Sequence, residues 1–342
     1  MRDCSVQLKK FHNSEVVLSK DDRAEIFGKA KTNRNRLKGG LAADGKPQPI
    51  GLRTQGSYAM KTLIQDVDAD YDIDDGVYFK KDDLKGAQGA DMTSLDARKM
   101  VCRAVQDDRF NKSPEVRTNC VRVYYNEGYH VDVPVYREIS TANPFTGEIT
   151  KSFELASSAW KKSDALAVTK WFRDHNTDSS SDASSDGNRG QFVRVVRLLK
   201  AFARSRPAWK GCIASGFAIS RLAHDHFAEV ADRDDQALRD TMKAIANRLA
   251  YNDVIQHPTV DENIAEAGDA KTRFLRDKLD ANLPTLDVLD DPACTHKQAM
   301  AAWDRFFKRD WFADQPDPED EDDLASKTSG PAVIRRGNVG YA

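Results

Sequence analysis

No stretch of the chain approaches the ~20 consecutive apolar residues that a membrane-spanning helix needs. Mean hydropathy is −0.65, so no membrane helix is expected. An excess of charge of one sign is also missing. The 52 Lys and Arg stand against 54 Asp and Glu, a formal charge of −2 over 342 residues, and no global positive field draws the chain to nucleic acid or to an anionic membrane surface. Cysteine is scarce and unpatterned. Cys4, Cys102, Cys120, Cys212 and Cys294 are odd in number, widely spaced and without a Cys-x-x-Cys pair, which speaks for reduced thiols rather than a disulfide framework or a zinc site. The first twenty residues carry Lys9, Lys10, His12 and Asn13 where a signal peptide needs its apolar stretch, so a cytoplasmic protein is expected.

What is present is a globular composition. Apolar residues make up 40% of the chain, enough for a sizeable core in two packed units. Ala24, Ile26, Phe27 and Ala30 recur at helical spacing after the capping candidate Ser19, predicting a helix over 21–38 that ends at Gly39 and Gly40. Strand patterns over 70–79, 117–125 and 129–136 then alternate with helical ones over 57–64 and 93–105, so the first half reads α+β. After Pro144 the periodicity turns helical, over 159–175, 191–205, 215–229, 236–251, 271–283 and 297–310. The segment 176–190, rich in Ser, Asp, Asn and Gly, is expected to be a flexible loop. The stretch 314–323 holds seven acids in ten positions, and a disordered acidic tail is expected from there to Ala342. The boundaries that follow are 1–155 for a catalytic lobe with its N-terminal helix, 156–313 for a helical lobe and 314–342 for the tail.

The chemistry concentrates in three segments: Thr54-Gln55-Gly56-Ser57, then Tyr71-Asp72-Ile73-Asp74-Asp75-Gly76, then His130-Val131-Asp132-Val133-Pro134-Val135-Tyr136. In a strand side chains alternate, so Asp72 and Asp74 share one face. Val131, Val133 and Val135 make a buried face and leave Asp132 opposite. If the two strands are neighbours, three carboxylates converge, and they repel unless a cation sits among them. Hard oxygen ligands of this kind suit Mg2+ or Mn2+ with substrate phosphates. A Gly-Ser turn opening a helix, fifteen residues before Asp72, offers N–H groups and a hydroxyl to a phosphate. The combination points to phosphoryl transfer with two metals.

The runs TQGSYAMKTL, DADYDIDDGVYF and YHVDVPVY, with WKKSDALAVTKWF and VRLLKAFAR in the second half, resemble the cGAS/DncV-like nucleotidyltransferases, members of the polymerase-β-like superfamily, and the bacterial branch in particular. The resemblance spans most of residues 50–230. It implies an α+β polymerase-β-like nucleotidyltransferase lobe plus an α-helical second lobe, with the active site between them. It also implies that Asp72, Asp74 and Asp132 are catalytic and hold the metal ions, Mg2+ or Mn2+. Gln55, Gly56 and Ser57 would then grip the nucleotide, while Lys200 and Ser215 contact the triphosphate from the helical lobe. The implied activity is the joining of nucleoside triphosphates into a cyclic di- or trinucleotide, with pyrophosphate released, as a second messenger of antiphage defence. The alternative is a non-cyclising transferase acting on RNA or protein. Some bacterial members of the resembling family have their C-terminus joined to other molecules by ubiquitin-transfer-like enzymes, which makes such enzymes candidate partners here.

The chain lacks the zinc-binding insertion of the animal DNA sensor and has no long basic face, so double-stranded DNA is not expected as a partner. Gly216 stands where that sensor has a base-stacking Tyr; Tyr58 or Tyr251 is expected to take the role. Without the resemblance Lys200 reads as a snorkelling lysine on a core helix. Asp75 reads as a turn residue before Gly76 and His130 as a strand-edge residue. The aromatics Trp160, Trp171, Phe172, Trp303, Phe306, Phe307 and Trp311 read as helix packing.

Overall fold

The computed structural model describes residues 1–66, 71–125 and 128–317. The chain opens with α1 (Ser5–Phe11), α2 (Lys20–Ala43), β1 (Gly51–Gln55), the short turn of helix α3 (Gly56–Ala59), β2 (Asp72–Lys80) and α4 (Ser94–Ala104). Six strands follow: β3 (Glu115–Val116), β4 (Val121–Tyr124), β5 (His130–Val133), β6 (Val135–Ala142), β7 (Ile149–Ala156) and β8 (Trp160–Lys162). The remainder is α5 (Ala165–Ser179), α6 (Gln191–Arg204), α7 (Gly216–His226), α8 (Asp234–Tyr251), the small pair β9 (Ile255–Gln256) and β10 (Asn263–Ala265), α9 (Ala270–Asn282) and α10 (His296–Phe307).

One eight-stranded sheet runs in the order β3-β4-β5-β2-β6-β7-β8, with β1 also paired to β2. β5 and β6 are a single run interrupted at Pro134. Both lie parallel to β2 in one register, Asp72 opposite His130 and Val77 opposite Val135, and the Pro134 carbonyl still accepts the N–H of Val77 at 2.9 Å. Proline has no N–H to give a ladder but keeps its acceptor, so the pairing survives the interruption. Ile73, Val131, Val133 and Val135 point into one core with α2 and α4, and the alternation sends Asp72 and Asp74 to the other face.

A second core lies among α5–α10, with Phe192, Phe202, Trp303 and Phe306 fully buried. It also takes in Cys4, Leu8, Phe11 and Val16. The sequence reading places 1–155 in one lobe, yet α1 packs on the helical side. Arg2 N–H donates to the Leu289 carbonyl at 2.6 Å and Cys4 N–H to the Asp235 carboxylate at 2.9 Å, because the apolar stripe of α1 matches the helices and not the sheet.

Several local expectations change. Ser19 does cap α2, accepting from Asp22 N–H at 3.0 Å, but the helix runs through Gly39 and Gly40 to Ala43. A Cβ on Gly40 would collide with the Ala104 backbone, so that glycine is a close crossing of α2 over α4 rather than a stop signal. The helix expected over 57–64 is only four residues long, broken by Lys61 in the left-handed region at φ 60°. Trp160 is in β8, its indole donating to the Met92 carbonyl at 2.9 Å and its ring under Arg137, and α5 starts later, capped by Asp164. The segment expected to be a flexible loop is built around the buried Asn176, whose amide donates to the Arg189 carbonyl at 2.9 Å; α5 extends into it as far as Ser179, and polar side chains replace the missing apolar ones as its anchors. Of the acidic tail, residues 318–342 lie outside the described residues.

Candidate active site

Asp72 and Asp74 sit at the start of β2, and Asp132 lies on β5 directly opposite Asp74. Asp72 is solvent-facing, with its side chain 50% exposed, whereas Asp132 is buried. Burial, followed by the charges of Asp132 and Asp72, pushes the Asp74 carboxyl up to about 7, against a smaller lowering by Arg122. Concentrated negative charge of this kind marks a place for cations. One side-chain cation already touches it. Arg122, on β4 opposite Asp132, donates Nε and Nη2 to the two oxygens of Asp132 at 2.7 Å each and comes within 3.3 Å of Asp72 Oδ1. His130 Nδ1 lies 3.4 Å from the same Asp72 oxygen.

The Gly56-Ser57 turn abuts this cluster. Gly56 has φ +63°, and a Cβ there would run into Asp74 Oδ2; only glycine lets the turn approach the carboxylate. Gln55 is buried, donating its amide to the Tyr136 hydroxyl at 2.9 Å while its Oε1 accepts from the Tyr78 hydroxyl at 3.4 Å. Its side chain therefore locks β1 to the sheet. From behind, three arginines hold the turn by its carbonyls: Arg23 on Tyr58 at 3.2 Å, Arg173 on Ala59 at 2.8 Å and Arg197 on Lys61 at 2.7 Å.

A cleft of about 680 Å³ separates the sheet from the helical side, and Ser57, Asp72, Asp74 and Asp132 line one wall. Lys200, on α6, lines the cleft too. It is buried, with its ammonium donating to Thr62 Oγ1 at 2.7 Å; burial first, then Arg204 and Arg197, lowers its pKa to about 7. The Ser215 hydroxyl is the cap of α7, accepting from Ala218 N–H at 3.1 Å, and the cleft wall at this point is Gly216 and Phe217.

The expected stacking residues lie elsewhere. Tyr58 stacks on Phe27 of α2 with ring centroids 6.0 Å apart, and Tyr251 projects from the end of α8, 93% exposed. Among the described residues the aromatic ring on the cleft wall is Phe217, with His257 edge-on at 5.3 Å. Asp75 is no turn residue: it is buried within β2 and takes a two-pronged ion pair from Arg34 of α2, with Nε at 2.7 Å.

Sequence reasoning missed Arg122, Phe217 and the three arginines behind the turn. The alternation Val121-Arg122-Val123-Tyr124 was the available signal for Arg122, since it puts the arginine on the polar face of a strand. The others depend on contacts between distant segments.

The donor set suits a hard divalent cation, three carboxylates on one face of neighbouring strands. As the side chains stand, no three His, Cys, Asp or Glu groups among the described residues close around a single ion position; Asp132 is turned onto Arg122.

Residues 51–136 match the sequence model of the family described as cyclic GMP-AMP synthase DncV-like, nucleotidyltransferase domain. Solved structures share the wider fold. Escherichia coli DncV in its 3'-deoxy GTP bound form superposes with a TM-score of 0.66 at 15% identity, over 88% of this chain and 94% of that one. The CD-NTase CdnG of Bradyrhizobium diazoefficiens, in complex with GTP, gives 0.65 at 15% identity over 91% and 96%. Vibrio cholerae DncV, a cyclic AMP-GMP synthase, gives 0.63 at 15% identity over 87% and 92%. The matched segment holds β1, the Gly-Ser turn and all three carboxylates, and most of the chain follows the fold of these structures: residues 51–136 are similar to the nucleotidyltransferase domain of the DncV-like family.

Proposed function

We propose that the protein joins nucleoside triphosphates into a cyclic di- or trinucleotide with release of pyrophosphate, the product serving as a second messenger in antiphage signalling. The observation that carries this reading is the placement of Asp72, Asp74 and Asp132 beside the Gly56-Ser57 turn, in one cleft with Lys200. The Ser57 hydroxyl and the first-turn N–H groups would bind phosphate oxygens. Lys200 would add a charge-assisted contact from α6. Mg2+ or Mn2+ held by the three aspartates would supply positive charge at the α-phosphate and at the attacking hydroxyl.

Asp132, buried and opposite Asp74 in the ladder, would help to orient the attacking ribose hydroxyl. Phe217 offers a face on which a base can stack.

Incubation with all four labelled triphosphates and Mg2+ or Mn2+, followed by mass spectrometry, tests the reading. Cyclic products are expected from the wild type, and none from Asp72→Asn or Asp74→Asn, both still folded. Linear extension of RNA or nucleotide transfer to protein, without rings, would establish the alternative. Wild-type pyrophosphate release by both variants would remove the site assignment.

A further inference from the structure

Arg122 carries an inference that rests on the nucleotidyltransferase reading. Its guanidinium takes both oxygens of Asp132 in a fork and reaches across to Asp72. A bidentate pair of this kind takes one lone pair on each carboxylate oxygen, on the side between them where a chelated metal ion would sit. The side chain is 18% exposed, so solvent weakens the pair little, and its ladder position opposite Asp132 leaves it no need to move to make the contact. While the fork is closed the three carboxylates do not gather around one point.

We propose that Arg122 is a built-in counter-cation that keeps Asp132 from metal until nucleotide is bound, so that the empty site takes divalent ions weakly and the triphosphate-bearing site takes them tightly. The charges support this. The guanidinium offsets part of the negative charge that Asp72, Asp74 and Asp132 offer an incoming cation, and a bound triphosphate brings that negative charge back. Arg122 is thus a positioning residue, acting through Asp132 and Asp72, and its effect is to order loading.

Mn2+ binding to the full-length protein, followed by the loss of the free-ion signal in electron paramagnetic resonance, needs no turnover. Without nucleotide, Arg122→Gln should bind Mn2+ at least about tenfold tighter than wild type, a change of roughly 1.4 kcal/mol. Arg122→Lys keeps the charge and should stay near the wild-type affinity. With a saturating non-hydrolysable triphosphate the gap between Arg122→Gln and wild type should narrow. Arg122→Ser, read in the same way, serves if Arg122→Gln does not fold. Equal or weaker Mn2+ binding by the neutral variants overturns the proposal and leaves Arg122 as a brace. Asp74→Asn separates this from the underlying reading: if it binds Mn2+ as the wild type does, the metal site itself is misassigned.

Discussion

Arg197 donates its Nε–H to the main-chain carbonyl of Lys61 at 2.7 Å, a bond that runs from the middle of α6 to the residue ending the Gly-Ser turn. Burial lowers the pKa of this guanidinium to about 10, and it remains charged at neutral pH. The turn is therefore held by the helix that also carries Lys200, one helical turn further along.

Replacing Arg197 with Met should loosen the turn and weaken nucleotide binding, since a hydrogen bond from a charged donor contributes about 1.5–3 kcal/mol. The expected result is a rise in KM for triphosphate with a smaller change in kcat. A loss of thermal stability with KM unchanged would make the contact purely structural.

Lys200 gives a pH dependence whose sign can be worked out. Its pKa is lowered to about 7 by burial and by Arg204 and Arg197, against an ordinary value near 10.5 in the unfolded chain. The unfolded state then holds the proton more tightly than the native state. The burial penalty is fully present below pH 7 and is relieved as pH rises from 7 towards 10.5. Lys200→Met should stabilise the nucleotide-free protein at pH 6 by on the order of 2–4 kcal/mol and hardly at all near pH 10. Thermal melts at the two pH values check this. Triphosphate binding at pH 8 should also take up a proton in the wild type and not in Lys200→Met, read by calorimetry in buffers of different ionisation enthalpy.

Gly56→Ala tests the close approach of turn and carboxylate. The added methyl meets Asp74 Oδ2, and the backbone has φ +63°, so strain of about 1–3 kcal/mol is expected. Product formation should fall far more than stability, because Asp74 can be displaced at little cost to the core while losing its catalytic placement. Near wild-type synthesis by Gly56→Ala would show that the turn does not need to touch Asp74.

The centre of the sheet and its carboxylates were legible because strand alternation is a short-range code: Asp72 and Asp74 on one face, Ile73 on the other, and Val131, Val133 and Val135 marking their partner; β1, β7 and β8 were not read as strands, and β7 and β8 fall in the half expected to be helical. The cap at Ser19 was legible for the same reason. Gly40 was misread because glycine means a helix stop when it answers to the local backbone and a close crossing when it answers to another helix. The packing of α1 on the helical core, the clamp of Arg122 and the displacement of Tyr58 onto Phe27 depend on which segments meet, and periodicity is silent on that. Trp160 was misassigned because an aromatic residue before an amphipathic run fits a helix as well as a strand edge.

The placement of α1 has a consequence for the order in which the chain can fold on the ribosome. All the buried apolar residues of the sheet-side core lie between Leu18 and Ala156, so that core is complete before the helical half has been synthesised. The helical core, by contrast, begins with Cys4, Leu8 and Phe11 and closes only with Phe306, Phe307 and Phe312. α1 leaves the ribosome before the helices it packs on and must wait for them with its apolar stripe uncovered, while domains generally fold as units as they emerge. The nucleotidyltransferase half is in effect an insertion between the two ends of the helical half, and the cleft takes its final form only when those ends meet.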